Sequence, residues 1–194
     1  MISAAFLLAF RAISAALPPT ATVPSAAIAV CFAPEQDCAA FAVGAIDRAR
    51  RQILVSAYNL TTGSGIVEAL VRARARGVDV RLIADKRTPC ERNAGIGPLA
   101  EAGTPIWIDH TVPIAHAKVM VIDGALTLMG SYNWTRNAAR NSEDLNLVAS
   151  PALAAAYAAQ WRARLAVSAP FAGRQDWCRP RRRRKFAGRK RTTP

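Results

Sequence analysis

Apolar residues recur along this chain with two different periods, and each change of period marks a new element. Between 38 and 52, Phe41, Ala45, Ile46 and Ala49 share one helical face while Asp47, Arg48 and Arg51 fall largely off it, which predicts an amphipathic helix. Ile53–Tyr58 is a short apolar run that reads as a buried strand. Gly65–Arg76 returns to helical spacing through Ile66, Leu70 and Ala73, with Arg72, Arg74 and Arg76 outward, and Gly77 stands where a helix would stop. Val78–Asp85 is then a second strand. Strand, helix and strand within ~30 residues form a βαβ unit, whose two strands run parallel.

The pattern continues more weakly. Lys86–Gly95 is a polar connection, Ile96–Ala102 a short helix and Pro105–Asp109 a short strand. Ser150 followed by Pro151 is a capping hydroxyl plus a first-turn proline, and it opens an Ala-rich helix to about Val167. The expected fold class is therefore α/β, with a mixed, mostly parallel β-sheet sandwiched by helices. Gly63-Ser64-Gly65 has Glu68 where a dinucleotide fingerprint needs a third glycine, so it reads as a turn.

The two ends differ from this middle. Residues 1–29 are apolar or small apart from Arg11, and Ala27-Ile28-Ala29 resembles a small-residue cleavage site. This segment reads as a signal peptide, which places the protein in the periplasm or outside the cell. An uncleaved leader would instead act as an anchor. After Phe171 the apolar periodicity is lost, and 172–194 reads as a basic, disordered tail. Residues 30–171 are the expected folded domain.

Composition narrows the class. The chain has 194 residues, 52% hydrophobic, enough for one domain with a sizeable core and too apolar for a disordered chain. Its formal charge of +13 is uneven. Residues 172–194 carry ten Lys/Arg against one acid, whereas the other 171 hold sixteen against twelve. The Arg181, Arg182, Arg183, Arg184, Lys185 run is thus a nonspecific polyanion contact, or simply a solvated tail. Four cysteines are too few for a disulfide scaffold of this size and form no metal-ligand spacing, so no metal is expected. In an exported chain, Cys31 and Cys38 could close a small loop around Pro34, leaving Cys90 and Cys178 as the other pair, although spacing alone does not set connectivity.

Chemistry concentrates in Ile114–Asp144, IAHAKVMVIDGALTLMGSYNWTRNAARNSED. Residues 115–122 and 125–130 read as strands joined by Asp123-Gly124, a two-residue hairpin signal. In that register Ile122 faces Ala125, Met120 faces Thr127, Lys118 faces Met129 and His116 faces Ser131. His116, Lys118, Ser131 and Asn133 would then share one face, opposite Ala117, Val119 and Val121. The set suits a phosphodiester. Lys118 offers a point charge to a non-bridging oxygen, and Ser131 and Asn133 donate hydrogen bonds to charge developing on phosphorus. Neutral His116 is a competent nucleophile, with Glu143 or Asp123 available to orient its ring.

His116-x-Lys118-x4-Asp123, Gly130-Ser131-x-Asn133 and Asn141-Ser142-Glu143 together resemble the phospholipase D superfamily, and most nearly its small bacterial nuclease branch. The likeness runs from about Cys31 to Phe171 and includes Cys31-Phe32-x-Pro34, Ala57-Tyr58 and Gly77-Val78-Asp79-Val80. It implies a phospholipase D-like fold with one catalytic motif per chain, and catalysis through a phosphohistidine on His116 without a metal or other cofactor. Lys118, Ser131 and Asn133 would bind phosphate, Glu143 would hold the His116 ring, and Asp123 would support. A second histidine must protonate the leaving oxygen, yet the chain holds only His110 and His116. One motif per chain therefore implies a homodimer whose site takes His116 from both subunits. The other readings are that His110 is the acid or that the chain is inactive.

Three functions compete. The favoured one is a sequence-nonspecific endonuclease with DNA or RNA as substrate, since the motif reads a phosphodiester and not a base. The alternative is a phospholipase D-type hydrolase of lipid head groups, with the basic tail meeting an anionic membrane surface. A non-enzymatic nucleic-acid binder would be expected to have a damaged motif. Arg136 is a further candidate substrate contact, or part of a solvated face. Tyr58 and Tyr132 could line the cleft, whereas Trp107, Trp134 and Trp161 are expected in packing.

Overall fold

The computed structural model describes residues 26–173 and 177–178. The predicted elements form within a residue or two of their expected limits, except that the first helix ends at Arg48 instead of near 52 and the first strand of the catalytic hairpin begins at Lys118 instead of 115. In chain order they are β1 (Ala27–Ala33), α1 (Cys38–Arg48), β2 (Gln52–Ala57), α2 (Ile66–Ala75), β3 (Asp79–Asp85), α3 (Ile96–Glu101), β4 (Ile106–Asp109), β5 (Lys118–Ile122), β6 (Leu126–Gly130), β7 (Glu143–Ala149), α4 (Pro151–Leu165) and β8 (Ala169–Pro170). Local chemistry sets the helix starts. Asp37 accepts from Ala40 N to cap α1, and Ser150 accepts from Leu153 N to cap α4. Gly65 enters α2 at φ +82°, a conformation that a side chain would strain.

All eight strands join one sheet in the order β1-β7-β6-β5-β2-β3-β4-β8. The mixed α/β architecture is as expected, but its parallel share is smaller. Only β2–β3 and β3–β4 are parallel, and the other five pairs are antiparallel. The reason is connectivity: only β2, β3 and β4 are both neighbours in the sheet and linked through helices, while β5, β6 and β7 follow through shorter connections that reverse direction. Strands β1, β7 and β8 were not anticipated. Ala27–Ala29, read from the sequence as the end of a leader, pair with Leu147–Ala149 as the start of β1.

Each face of the sheet has its own core. On one side α1 and α2 cover Ile53, Val55, Val80, Leu82, Met120 and Leu128. On the other, α4 lays Ala154, Ala158 and Trp161 against Leu54, Ile83 and Val121. Those two alanines are four residues apart on one stripe, and their small side chains let the helix lie close to the strands. Trp161 Nε1 donates to Val55 O at 2.9 Å and Trp134 Nε1 to Ser56 O at 3.1 Å, so both indoles are satisfied core residues, as expected. Trp107 packs edge-on against Trp161.

Two disulfides join Cys31 to Cys38 and Cys90 to Cys178, with Cα separations of 5.6 and 5.3 Å. The first ties β1 to α1. The second holds the loop after β3 to the end of the described chain. The Arg181–Lys185 run lies outside the described residues.

Candidate active site

Strand direction assembles the site. β2 ends where the antiparallel β5 begins, with Ala57 opposite Lys118. β6 arrives at the same edge with Gly130, and β7 leaves from it with Glu143, opposite Ala33. Residues far apart in sequence thus meet at one sheet edge, beyond the carboxyl ends of the parallel strands, where open α/β sheets bind ligands. His116, Lys118, Ser131, Asn133 and Glu143 line one open depression there.

The hairpin register differs from the expected one by a single residue. Val119 opposes Met129, Met120 opposes Leu128 and Ile122 opposes Leu126. Asp123 and Gly124 take φ of +54° and +68°, and Ala125 N closes the turn on Ile122 O at 3.1 Å. Ala125 then stays out of the ladder, and its carbonyl accepts from Ser150 N. The predicted cross-strand facing of His116 with Ser131 therefore fails, because a one-residue slip exchanges the faces. The residues converge by another route: the chain leaves the ladder on both sides of the hairpin, before Lys118 and after Gly130.

Gly130 is required at this exit. A Cβ there would collide with Asp144 O, the carbonyl that receives both Ser131 N and Tyr132 N. Ser131 Oγ in turn accepts from Asp144 N at 3.0 Å, which fixes its hydroxyl at the rim. Asn133 brings its amide into the depression with Oδ1 buried and without a hydrogen-bond partner among the described residues.

Lys118 is the electrostatic centre. It is 6% exposed, and its Nζ lies 3.0 Å from His116 Nε2, 3.1 Å from Nδ1 and 2.8 Å from the His116 carbonyl oxygen. Burial holds its pKa below that of a free lysine, and the Glu143 carboxylate opposes that shift. His116 itself is exposed. Tyr58, an expected cleft residue, packs its ring 4.5 Å from the imidazole, and Lys118 Nζ sits 4.8 Å from the same ring.

Other predicted residues are placed elsewhere. Asp123 lies at the far end of β5, where its carboxylate accepts from the backbone N–H groups of Arg50, Arg51 and Gln52 at 2.7–2.9 Å. It holds the α1–β2 turn and does not reach the depression. Glu143 accepts from Asn141 Nδ2, and among the described residues no hydrogen bond joins it to His116. Its carboxylate acts on Lys118 instead. Arg136 lies in a separate depression with Asp37, Gly63 and Ser64. Tyr132 is fully buried and is not a cleft residue. His110 contacts the Ile108 carbonyl and the Trp177 ring, away from His116.

Sequence reasoning missed two buried carboxylates, Asp85 and Asp109, which end β3 and β4 side by side. Their only signal was an acid as the last residue of each predicted strand. Among the described residues there is no group of three or more His, Cys, Asp or Glu able to hold a metal ion.

Comparison with known proteins gives a consistent result. Residues 43–165 match the family model of the cardiolipin synthase PLD-like domain. A phospholipase D of Rickettsia bellii is 34% identical over 140 residues, 72% of this chain and 69% of that protein. A mitochondrial cardiolipin hydrolase of Chlamydomonas reinhardtii is 33% identical over 101 residues, 52% of this chain and 45% of its own length. The crystal structure of Nuc, a phospholipase D family member from Salmonella typhimurium, superposes with a TM-score of 0.70 at 32% identity, covering 76% of this chain and 99% of that one. With His116, Lys118, Ser131, Asn133 and Glu143 gathered at one sheet edge on this fold, the chain belongs to the phospholipase D superfamily and is a hydrolase of phosphodiester bonds.

Proposed function

We propose that the protein is a sequence-nonspecific endonuclease that cleaves DNA or RNA through a phosphohistidine, without a metal, as a homodimer. The observation that carries this reading is the pairing of exposed His116 with a desolvated Lys118 ammonium 3.0 Å away, beside Ser131 and Asn133, in a cleft that offers one imidazole per chain. The ammonium and the two donors would hold the non-bridging oxygens and stabilise charge developing on them. An imidazole nitrogen of His116 attacks phosphorus, and the bond to the leaving oxygen breaks. His116 of the partner subunit gives that oxygen its proton. It then takes a proton from water, which attacks the phosphohistidine and releases a phosphomonoester and free His116.

His110 supplies no alternative acid, since it is turned toward Ile108 and Trp177. Beside the cleft, β1 exposes Ile28, Val30 and Phe32, an apolar row of the kind that a second protomer covers. A nucleic-acid substrate is supported by the open cleft and the formal charge of +13. The leader-like composition of the residues before Ala27 supports a periplasmic or secreted location.

One feature favours a lipid substrate instead. A crevice of about 330 Å³ adjoins His116, walled by Val112, Ile114, Tyr157 and Trp161, and relatives such as that of Rickettsia bellii are named phospholipase D. The test is to assay the wild type and His116→Asn, with EDTA present, on plasmid DNA, RNA and liposomes of phosphatidylcholine or cardiolipin. Nucleic-acid cleavage that His116→Asn abolishes is expected. Liposome hydrolysis with untouched nucleic acid would overturn the nuclease reading, loss of activity on chelation the metal-free mechanism, and a fully active monomer in sedimentation the shared site.

A further inference from the structure

His116 closes a stretch, residues 110–117, that is neither helix nor strand. The backbone holds it only at its far end, where Tyr58 N donates to Ala117 O at 3.0 Å, and side chains from neighbouring strand ends hold the rest. Asp109 accepts from Thr111 N at 3.2 Å and Thr111 Oγ1 at 3.0 Å. Lys86 Nζ donates to Val112 O at 2.8 Å. Asp85 Oδ2 accepts from the N–H of Ala115, the residue before His116, at 2.7 Å, while Oδ1 accepts from Arg87 N at 2.9 Å. The stretch is thus pinned at its start, middle and end.

Of these pins Asp85 is the one aimed at the nucleophile. Asp109 also takes two bonds at 2.8 Å from Arg164, so it anchors α4 as well as the loop. Asp85 is fully buried, makes no ion pair among the described residues and is satisfied by backbone N–H groups. A buried carboxylate without a cation is a poor source of stability, because its desolvation offsets what its hydrogen bonds return. What it supplies is direction, since two short bonds on one rigid strand end fix a point of backbone one residue from the imidazole. Water cannot replace it at a site with no exposure.

We propose that Asp85 is a positioning residue that aims the His116 imidazole at phosphorus by holding the Ala115 N–H. The inference rests on His116 as the nucleophile. Asparagine at 85 keeps the shape but turns an amide N–H toward one of the two backbone donors, so one pin is lost and the other is weakened. A displacement of the nucleophile by about 1 Å can cost 10²-fold in rate.

The experiment uses the full chain, with bis(4-nitrophenyl) phosphate as substrate and inorganic phosphate as a competitive probe of the Lys118–Ser131–Asn133 pocket. Asp85→Asn should lower kcat about 30- to 100-fold, with KM and phosphate inhibition within about threefold of the wild type, assayed well below a thermal midpoint that the facing N–H groups lower. Lys86→Met, at a partly exposed residue, should lower kcat by roughly 3- to 10-fold with the same split. A folded Asp85→Asn with kcat within twofold of the wild type overturns the proposal. So does a loss of phosphate affinity in step with kcat, which marks general disruption. If Asp85→Asn does not fold, Lys86→Met decides, and an unchanged kcat there overturns it. His116→Asn runs in parallel: full turnover in that variant refutes the nucleophile reading itself, whereas dependence on His116 with an indifferent Asp85 refutes only the positioning role.

Discussion

Replacing Asp123 by alanine separates a structural from a chemical role for the last residue of the motif. Its Oδ1 accepts from Arg51 N at 2.7 Å and Gln52 N at 2.9 Å, and Oδ2 accepts from Arg50 N at 2.9 Å. Each such bond to a charged acceptor, at this partly exposed site, contributes about 1 kcal/mol. Alanine at φ +54° adds strain of about 1 kcal/mol, because its Cβ crowds the carbonyl in the left-handed region. The expected cost of Asp123→Ala is therefore about 3–4 kcal/mol, which for a domain of this size lowers Tm by roughly 6–16 °C. Asparagine tolerates the positive φ and keeps the Oδ1 pair, so Asp123→Asn should cost about half as much. Urea unfolding followed through the buried Trp134 and Trp161 measures the loss. Turnover of bis(4-nitrophenyl) phosphate, taken well below the unfolding transition, measures the chemistry and should stay within about threefold of the wild type.

The pH dependence gives a second handle on the same variant. Burial acts to raise the Asp123 pKa, but the backbone bonds from Gln52, Arg50 and Arg51 and the Arg51 charge outweigh it, so the net shift is downward. A carboxyl lowered on folding stabilises above its unfolded pKa, and that contribution fades as pH falls through the folded value. The gap between wild type and Asp123→Asn should therefore be full at neutral pH and shrink below about pH 4. A hundredfold loss of kcat at unchanged stability would refute the structural assignment and return Asp123 to the chemistry.

Other outcomes follow from the same structure. Lys118→Met should lower kcat by about 10²- to 10³-fold while leaving Tm unchanged or raised, because it removes the charge on phosphate together with a buried ammonium. Since burial lowers the Lys118 pKa, the wild-type rate should fall on an alkaline limb below 10.5, readable from kcat against pH, and a rate flat to that pH would contradict the role of the ammonium. Glu91 is raised to about 7, by burial first and then by the Asp85 charge, so its ionisation destabilises the fold between its unfolded value and about 7. Glu91→Gln should accordingly raise Tm at pH 8 and leave it unchanged near pH 4, and equal effects at both would sink this account. Cys90→Ser opens a bridge between residues 88 apart and should cost about 2–4 kcal/mol in denaturant unfolding, with no change if the bridge is dispensable.

Much of the fold could be read locally. The α1, α2 and α4 spans, the β2–α2–β3 unit and the Asp123-Gly124 turn depend on periodicity and turn chemistry that operate within a few residues. The Cys31–Cys38 bridge was within reach for the same reason. β1 escaped because its Ala-Ile-Ala-Val stretch has the composition of a leader, and composition does not reveal a hydrogen-bonded partner 120 residues away. The ladder register escaped by one residue because Ala125 is held out of the pairing by Ser150, a contact invisible from the hairpin alone. Asp123 looked catalytic by its place in the motif, but β5 carries it to the opposite end of the sheet, where its carboxylate holds the backbone of Arg50, Arg51 and Gln52.

The motif residues and their chemical types are written in the chain itself: an imidazole, an ammonium, a hydroxyl and an amide at spacings suited to a phosphodiester. Their convergence is not. It follows from strand order and direction, which bring the ends of β2 and β6 and the starts of β5 and β7 to one edge. The tertiary structure likewise gives Asp85 and Asp109 their meaning, because a terminal acid becomes a pin only when the loop before β5 crosses the adjacent ends of β3 and β4. Sequence specifies short-range preference strongly because each residue meets its neighbours in every conformation. The position of a nucleophile within an ångström depends on contacts that exist only once the whole sheet has formed.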